Sequence, residues 1–122
     1  MKRFLKWLPF GKVAEVSATE LHRLMQDGAQ PGLQIIDVRS EQEFAASHIP
    51  GAINLPITRF RKNAVAALGL NNTQPVITIC LSAHRSIPAT RQLSSLGLDC
   101  KQLQGGMLAW WKAGLPCIKA EP

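Results

Sequence analysis

The sequence predicts an α/β fold in which helices cover both faces of a mostly parallel central sheet. Its 122 residues are the length of one domain. Short apolar runs bounded by turn residues alternate with segments that carry helix-capping residues, a pattern typical of α/β folds. Residues 76–79 are β-branched throughout, as expected for a strand buried on both faces of a parallel sheet.

The individual elements follow from apolar patterning and from capping residues. Ser17 with Glu20, and Ser40 with Glu43, have the spacing of capping boxes and therefore predict helix starts. Gly97 predicts the end of a later helix. The predicted helices are residues 18–25, 41–47, 58–68, 86–96 and 106–113. The predicted strands are residues 13–16, 33–38, 76–79 and 99–103, with a small strand at the end of the turn at 48–54.

The chain divides into a basic and aromatic N-terminal arm at 1–12, a domain at 13–118 and a short tail at 119–122. Lys6 and Pro9 interrupt the apolar residues of the arm, so a secretory signal is not expected. The arm is expected to pack on the domain. Its alternative is a weak peripheral contact with a membrane surface, as a short amphipathic segment.

Charge and cysteine content narrow the classes of partner. The net charge is +6, but four basic residues and no acid fall within the arm, and the rest of the chain is nearly balanced. Aromatic residues make up 6% of the chain and tyrosine is absent, so no base-stacking surface and no nucleic-acid partner are expected. Three cysteines do not form a disulfide framework, which favours a cytoplasmic location.

Cys80 has the sequence setting of a reactive thiol. It follows the predicted strand at 76–79 directly and precedes a helix, so it lies at the edge of the sheet where ligands bind in α/β folds. Backbone N–H groups of the linking loop, the positive end of the helix and the charge of Arg85 would all favour an anion there. We therefore expect a sulfur held there to be a thiolate or a persulfide anion, and the thiolate is the nucleophilic form. Cys100 and Cys117 lack such a loop and are expected to be structural.

Three blocks of sequence resemble the rhodanese-type sulfurtransferases. CLSAHRS at 80–86 is similar to the active-site loop of that family, in which a cysteine is followed by a short loop ending in Arg-Ser. IDVR at 36–39, EF at 43–44 and HIPGAIN at 48–54 resemble its N-terminal signature. GGMLAW at 105–110 and AGLP at 113–116 resemble its C-terminal one. The resemblance covers about residues 13–118.

The resemblance implies a single rhodanese-like domain that transfers sulfane sulfur without a cofactor. Cys80 would take sulfur from a small-molecule donor, hold it as a persulfide and pass it to cyanide, to a thiol or to a protein acceptor. The backbone amides of the loop would cradle the terminal sulfur; its residues are Leu81, Ser82, Ala83, His84, Arg85 and Ser86. Asp37 and Arg39 would be structural rather than catalytic. The activity implied is that of a thiosulfate:cyanide sulfurtransferase.

Two departures from the family pattern bear on the loop. Ala83 stands where the family usually has glycine, and we expect it to adopt an ordinary negative φ. Glu43 stands where the best-studied two-domain thiosulfate sulfurtransferases carry a basic residue. An acid near the mouth of the site would disfavour a donor with two negative charges.

Loop length, the presence of Cys80 and ligand spacing argue against two other functions and a metal site. A cysteine phosphatase or arsenate reductase would need a Cys-x5-Arg loop, whereas Cys80 to Arg85 is Cys-x4-Arg. A non-catalytic binding module would not need Cys80. His48 and His84 have no metal-ligand spacing with Cys80, so no metal is expected.

Overall fold

The structure is a computed structural model that describes residues 13–26 and 28–120, so the predicted arm at 1–12 lies outside the described residues. Its strands are β1 (Glu15–Val16), β2 (Gln34–Asp37), β3 (Ser47–His48), β4 (Ile53–Asn54), β5 (Val76–Ile79), β6 (Cys100–Leu103) and β7 (Ile118–Lys119). Its helices are α1 (Ala18–Met25), α2 (Glu41–Ala46), α3 (Lys62–Ala67), α4 (Ser86–Ser95) and α5 (Gly106–Lys112). A 3₁₀ turn at Ile57–Arg59 precedes α3.

Five strands form the central sheet in the order β1-β6-β5-β2-β4, and every neighbouring pair is parallel. A separate antiparallel pair joins β3 to β7. Strand β5 occupies the middle of the sheet, and all four of its residues are buried. The carboxyl end of β5 is therefore the centre of the ligand-binding edge that parallel sheets present.

Side chains alternate between two cores, one on each face of the sheet. Ile77 and Ile79 point to the face covered by α1 and α5, where the fully buried Trp110 also packs. Val76 and Cys80 belong to the opposite core, which includes Val65 of α3 and residues of α4. Helices thus cover both faces, and the predicted fold class is confirmed.

The capping boxes form to different extents. Around Ser40, both reciprocal bonds are present, because the Ser40 hydroxyl accepts from the Glu43 N–H while the Glu43 carboxylate accepts from the Ser40 N–H. At Ser17 the hydroxyl also accepts from the Glu20 N–H. The Glu20 carboxylate, however, forms an ion pair with Arg23. The first predicted box is therefore half formed, because a basic residue one turn along the helix takes its acid.

The continuous helix predicted at 58–68 is wrong. The chain makes the 3₁₀ turn at Ile57–Arg59, leaves helical geometry at Phe60 and Arg61, and begins α3 only at Lys62. Phe60 is buried in the core that contains Val65. Burial of this aromatic ring overrides the local helical propensity, because a continuous helix would change the direction of its side chain.

No helix within residues 13–26 and 28–120 combines the length and the apolar character that crossing a bilayer requires.

Candidate active site

Cys80 lies at the carboxyl end of the central strand, immediately after β5, and its side chain is 1% exposed. It faces the core under α4, and its Sγ lies 3.3 Å from the hydroxyl oxygen of Ser86, the first residue of that helix. The loop that joins the two residues thus starts at a buried sulfur and returns to it at the start of a helix.

The start of α5 fixes the first part of this loop. Met107 donates its N–H to the carbonyl of Cys80 at 2.8 Å, and Leu108 donates to the carbonyl of Leu81 at 3.0 Å. In a trans peptide the N–H points opposite to the C=O, so the N–H groups of Leu81 and Ser82 point away from α5. Gly106 has a φ of +58°, and a Cβ at this position would overlap both carbonyl groups. Only glycine permits this close approach.

Ala83 does not have the ordinary negative φ that we predict from the sequence, so that prediction is wrong. Its φ is +69°, and it is the one residue other than glycine with positive φ in the part of the chain that the structure describes. The loop has to reverse between the end of β5 and the start of α4, and Ala83 adopts the left-handed conformation in which glycine is most stable. The strain is on the order of 1 kcal/mol.

The middle of the loop presents unpaired donors. Among the described residues, no protein atom accepts a hydrogen bond from the N–H groups of residues 82–85. A left-handed residue inside a turn is typical of loops whose successive N–H groups converge on an anion. The following helix adds the positive end of its dipole. The loop therefore presents backbone donors without a partner, among the described residues, between Cys80 and the start of α4.

Arg85 does not bring an isolated charge to this loop. Its guanidinium donates to both carboxylate oxygens of Glu43, at 2.7 and 2.8 Å. These bonds lower the pKa of Glu43 to about 2 and raise the pKa of Arg85. Each charge balances the other, so neither the attraction expected from Arg85 nor the repulsion expected from Glu43 acts alone.

Ser82 and His84 form the outer rim of the loop. The Ser82 hydroxyl and the Nδ1 of His84 are 2.9 Å apart, and His84 is exposed. Leu81 is half-buried and packs against the core under α5. The imidazole is thus exposed to solvent at the rim of the loop.

Asp37 and Arg39 form a buried ion pair next to the site. The guanidinium donates to the Asp37 carboxylate at 2.8 to 3.1 Å and to the carbonyl of Ser47 at 2.6 Å. The Asn54 side chain donates to the backbone carbonyls of both Asp37 and Arg39. The pair ties β2 to β3 and β4, an arrangement typical of a structural role.

The remaining sulfur and imidazole groups have contacts of their own. Cys100 pairs in register with Val76, at the opposite end of β5 from Cys80, and burial raises the pKa of its thiol to about 12. Cys117 is half-buried, with its Sγ 3.7 Å from the carbonyl of Leu115. His48 stacks on Phe44 and bonds to its carbonyl oxygen. The three groups are not brought together with Cys80.

Two further residues, Gln102 and Glu15, connect to the site through Ser86, and the sequence pattern does not indicate them. Gln102 accepts a hydrogen bond from the Ser86 hydroxyl at 2.7 Å and donates one to the Glu15 carboxylate at 2.8 Å. The sequence signal is a polar residue inside the predicted strand at 99–103. Its partners become apparent only once β1 and α4 are positioned beside β6.

These features define a class: α/β domains that carry a cysteine in a short strand–loop–helix turn at the carboxyl edge of a parallel sheet. The sequence model of the rhodanese-like domain family matches residues 17–113. The chain belongs to the rhodanese-like domain family.

Individual relatives agree with this assignment. The chain is 33% identical to thiosulfate sulfurtransferase 16 of Arabidopsis thaliana, over 84% of this chain and 91% of that protein. It is 35% identical to an uncharacterized Synechocystis protein, over 80% of this chain and 54% of that protein. The chain thus spans about half the length of some curated relatives it matches. The crystal structure of a rhodanese-related protein from Thermoplasma volcanium superposes with a TM-score of 0.75, at 26% identity, over 87% of this chain and 98% of that one.

Proposed function

We propose that this chain is a sulfurtransferase that carries sulfane sulfur as a persulfide on Cys80. One observation carries the proposal: a cysteine sulfur lies at the base of a loop whose N–H groups at 82–85 have no acceptor within the described part of the protein. Such donors stabilise a terminal sulfur that bears a negative charge. The resemblance of the family's loop to residues 80–86 supports the same residue as the carrier.

The chemistry takes two displacements at sulfur. In the first, the Cys80 thiolate attacks the outer sulfur of a donor such as thiosulfate; the donor S–S bond breaks and sulfite leaves with the electron pair. In the second, cyanide or a thiolate attacks the terminal sulfur of the persulfide; the bond to Cys80 breaks and the thiolate is restored. Electrons balance without an external oxidant, and the kinetics are ping-pong.

The charge balance between Glu43 and Arg85 affects which sulfur donor the loop can bind. Because Glu43 neutralises Arg85, binding of an anion rests on the backbone N–H groups and on the N-terminal end of α4. The name of the Arabidopsis relative supports thiosulfate as the first donor to test. A singly charged organic persulfide needs less positive charge, and we expect this site to use it more efficiently than thiosulfate. The acceptor is a thiol that reaches the rim formed by Ser82 and His84.

The test combines cyanolysis with intact mass spectrometry. After donor treatment and gel filtration, the protein should gain one sulfur, about 32 Da, and should release it as thiocyanate when cyanide is added. Cys80→Ser should neither gain the mass nor release thiocyanate. Cys117→Ser is the matched control, because it removes a half-buried thiol outside the loop and should leave loading unchanged.

Two results would contradict the proposal. Sulfur that remains on the Cys80→Ser protein would place the carrier elsewhere. A folded wild-type protein that takes no sulfur from thiosulfate or from an organic persulfide would favour a non-catalytic binding module.

A further inference from the structure

A hydrogen-bonded series of polar side chains connects the buried sulfur of Cys80 to the protein surface beside β1. The Cys80 Sγ lies 3.3 Å from the Ser86 hydroxyl, which donates at 2.7 Å to the side-chain carbonyl of Gln102. The Gln102 amide donates at 2.8 Å to the carboxylate of Glu15. Ser86 and Gln102 are buried, whereas Glu15 is exposed. Glu15 and Gln102 are direct partners in the register of β1 and β6.

The chemistry of these groups fixes the direction of every hydrogen bond. An ionised carboxylate only accepts, so Gln102 has to turn its NH₂ group to Glu15 and its carbonyl oxygen to Ser86. That oxygen also only accepts, so it takes the single hydroxyl proton of Ser86. The Ser86 oxygen is then left with lone pairs toward the sulfur. In this arrangement, Cys80 has to be the donor, so its resting sulfur is a protonated thiol and differs from the anionic sulfur that the loop sequence predicts.

Loss of the Cys80 thiol proton therefore disrupts the whole hydrogen-bonded series. A thiolate would face the lone pairs of Ser86 at 3.3 Å unless the hydroxyl turned toward it. That turn leaves the buried Gln102 carbonyl without a donor, which is unfavourable. Reversal of the Gln102 amide would restore a donor but would set its carbonyl oxygen against the Glu15 carboxylate. Glu15 thus opposes, from the surface, the arrangement that an anionic sulfur requires.

We propose that Gln102, held in orientation by Glu15, is a positioning residue that keeps the resting Cys80 in its thiol form through Ser86. The proposal deepens the proposed function, because it concerns the sulfur that would carry the persulfide, but its readout is the thiol and not sulfur transfer. The neighbouring charged groups are the pairs Glu43–Arg85 and Asp37–Arg39, together with the rim imidazole of His84 and Lys101 of β6. The variants below leave all of them in place.

The first variant removes the acceptor and keeps the shape. In Gln102→Met, Ser86 is free to donate to the sulfur, so Cys80 should react with iodoacetamide about three- to tenfold faster at pH values below the midpoint of its alkylation profile. Peptide mapping separates the Cys80 product from those of Cys100 and Cys117. A profile that coincides with that of the wild-type protein would overturn the proposal.

A second pair of variants keeps the question answerable if Gln102→Met does not fold. Glu15→Gln lies at an exposed position and removes only the constraint on the Gln102 amide, so it should shift the Cys80 profile in the same direction by a smaller amount. Glu20→Gln removes an equal charge from a side chain of α1 that is 45% exposed, outside the hydrogen-bonded series, and should leave the profile unchanged. Equal profiles for Glu15→Gln and Glu20→Gln would contradict the role of Glu15.

Ser86→Ala distinguishes positioning from a general structural effect. If Gln102 acts through Ser86, then Gln102→Met should have no further effect on Cys80 alkylation in the Ser86→Ala background. An undiminished effect there would show that Gln102 acts by another route. Sulfur loading is measured separately: wild-type protein that takes no sulfur while the alkylation shifts appear would reject the sulfurtransferase proposal and leave this one standing.

Discussion

Two arginine–carboxylate pairs flank the carboxyl edge of the sheet, and they differ mainly in their access to water. Asp37–Arg39 is 0% and 2% exposed, whereas Glu43–Arg85 is 32% and 37% exposed. Both arginines make two-pronged contacts with the carboxylate. The side chains of the buried pair also bond to the N–H of Arg39 and the carbonyl of Ser47, and so join β2 to β3. The Glu43–Arg85 pair, at the mouth of the site, joins α2 to the site loop. The same chemical pair can therefore hold a fold together in one place and set the charge of a loop in another.

The buried pair should produce the largest effect when it is broken. Asp37→Asn keeps the shape of the side chain but leaves the Arg39 guanidinium without its countercharge, which should cost about 3–5 kcal/mol in the free energy of unfolding. Urea denaturation measures the loss. Adding Arg39→Met should recover part of it, because the uncompensated charge is removed. A loss below about 1 kcal/mol for Asp37→Asn would mean that water reaches the pair and that the contrast with the mouth pair is false.

Breaking the Glu43–Arg85 pair should change the choice of sulfur donor more than it changes the stability of the protein. Glu43→Gln keeps the capping hydrogen bonds but frees the charge of Arg85, so KM for thiosulfate should fall several-fold while the stability changes by at most about 1 kcal/mol. Glu41→Gln is the matched control: it lies on the same helix, and its ion pair with Arg59 is largely exposed. If both variants had the same KM, Arg85 would not contribute to anion binding.

A substitution that relieves the strained backbone of the site loop at Ala83 should have a smaller effect on stability. Ala83→Gly relieves the positive φ and should stabilise the protein by about 0.5–1 kcal/mol, the opposite sign to Ala66→Gly at an exposed position of α3. Thermal unfolding of both variants tests the sign. A destabilised Ala83→Gly protein would mean that the alanine methyl contributes packing worth more than the strain.

Lowering the pH should weaken the Glu43–Arg85 pair, and this is the smallest of the four predicted effects. The pKa of Glu43 is lowered from 4.5 in the unfolded chain to about 2, so its contribution is complete above about pH 4.5 and is lost as the pH falls through 2. The stability difference between the wild-type protein and Glu43→Gln should therefore shrink over this range. The effect is modest because a protonated Glu43 still accepts one hydrogen bond. A constant difference down to pH 2 would contradict the pairing.

Local chemistry explains what could be predicted. The strand at 76–79, the Ser40 cap and the end of α1 at Met25 depend on a few neighbouring residues, and they appear where patterning predicts them. The structural role expected for Asp37 and Arg39 agrees with their burial. Cys80 appears at the sheet edge because a strand followed by a helix fixes that position.

Long-range contacts explain what could not. Glu43 and Arg85 are 42 residues apart, and no local spacing announces their pairing. The break at Phe60 reflects burial in a core assembled from distant elements. The conformation of Ala83 follows from where β5 ends and α4 begins, and the order of the residues did not reveal it. Gln102 became visible as a partner of the site only through the register of β1 with β6.

The contact between Gly106 and the carbonyls of Cys80 and Leu81 has a consequence for how the protein is made. A chain synthesised from its N-terminus completes β5 and the loop well before residues 106–108, whose backbone fixes that loop. A partly synthesised chain therefore contains the thiol but not the geometry that would hold an anionic sulfur. The loop around Cys80 therefore takes its final geometry only after α5 has been synthesised and has docked on it.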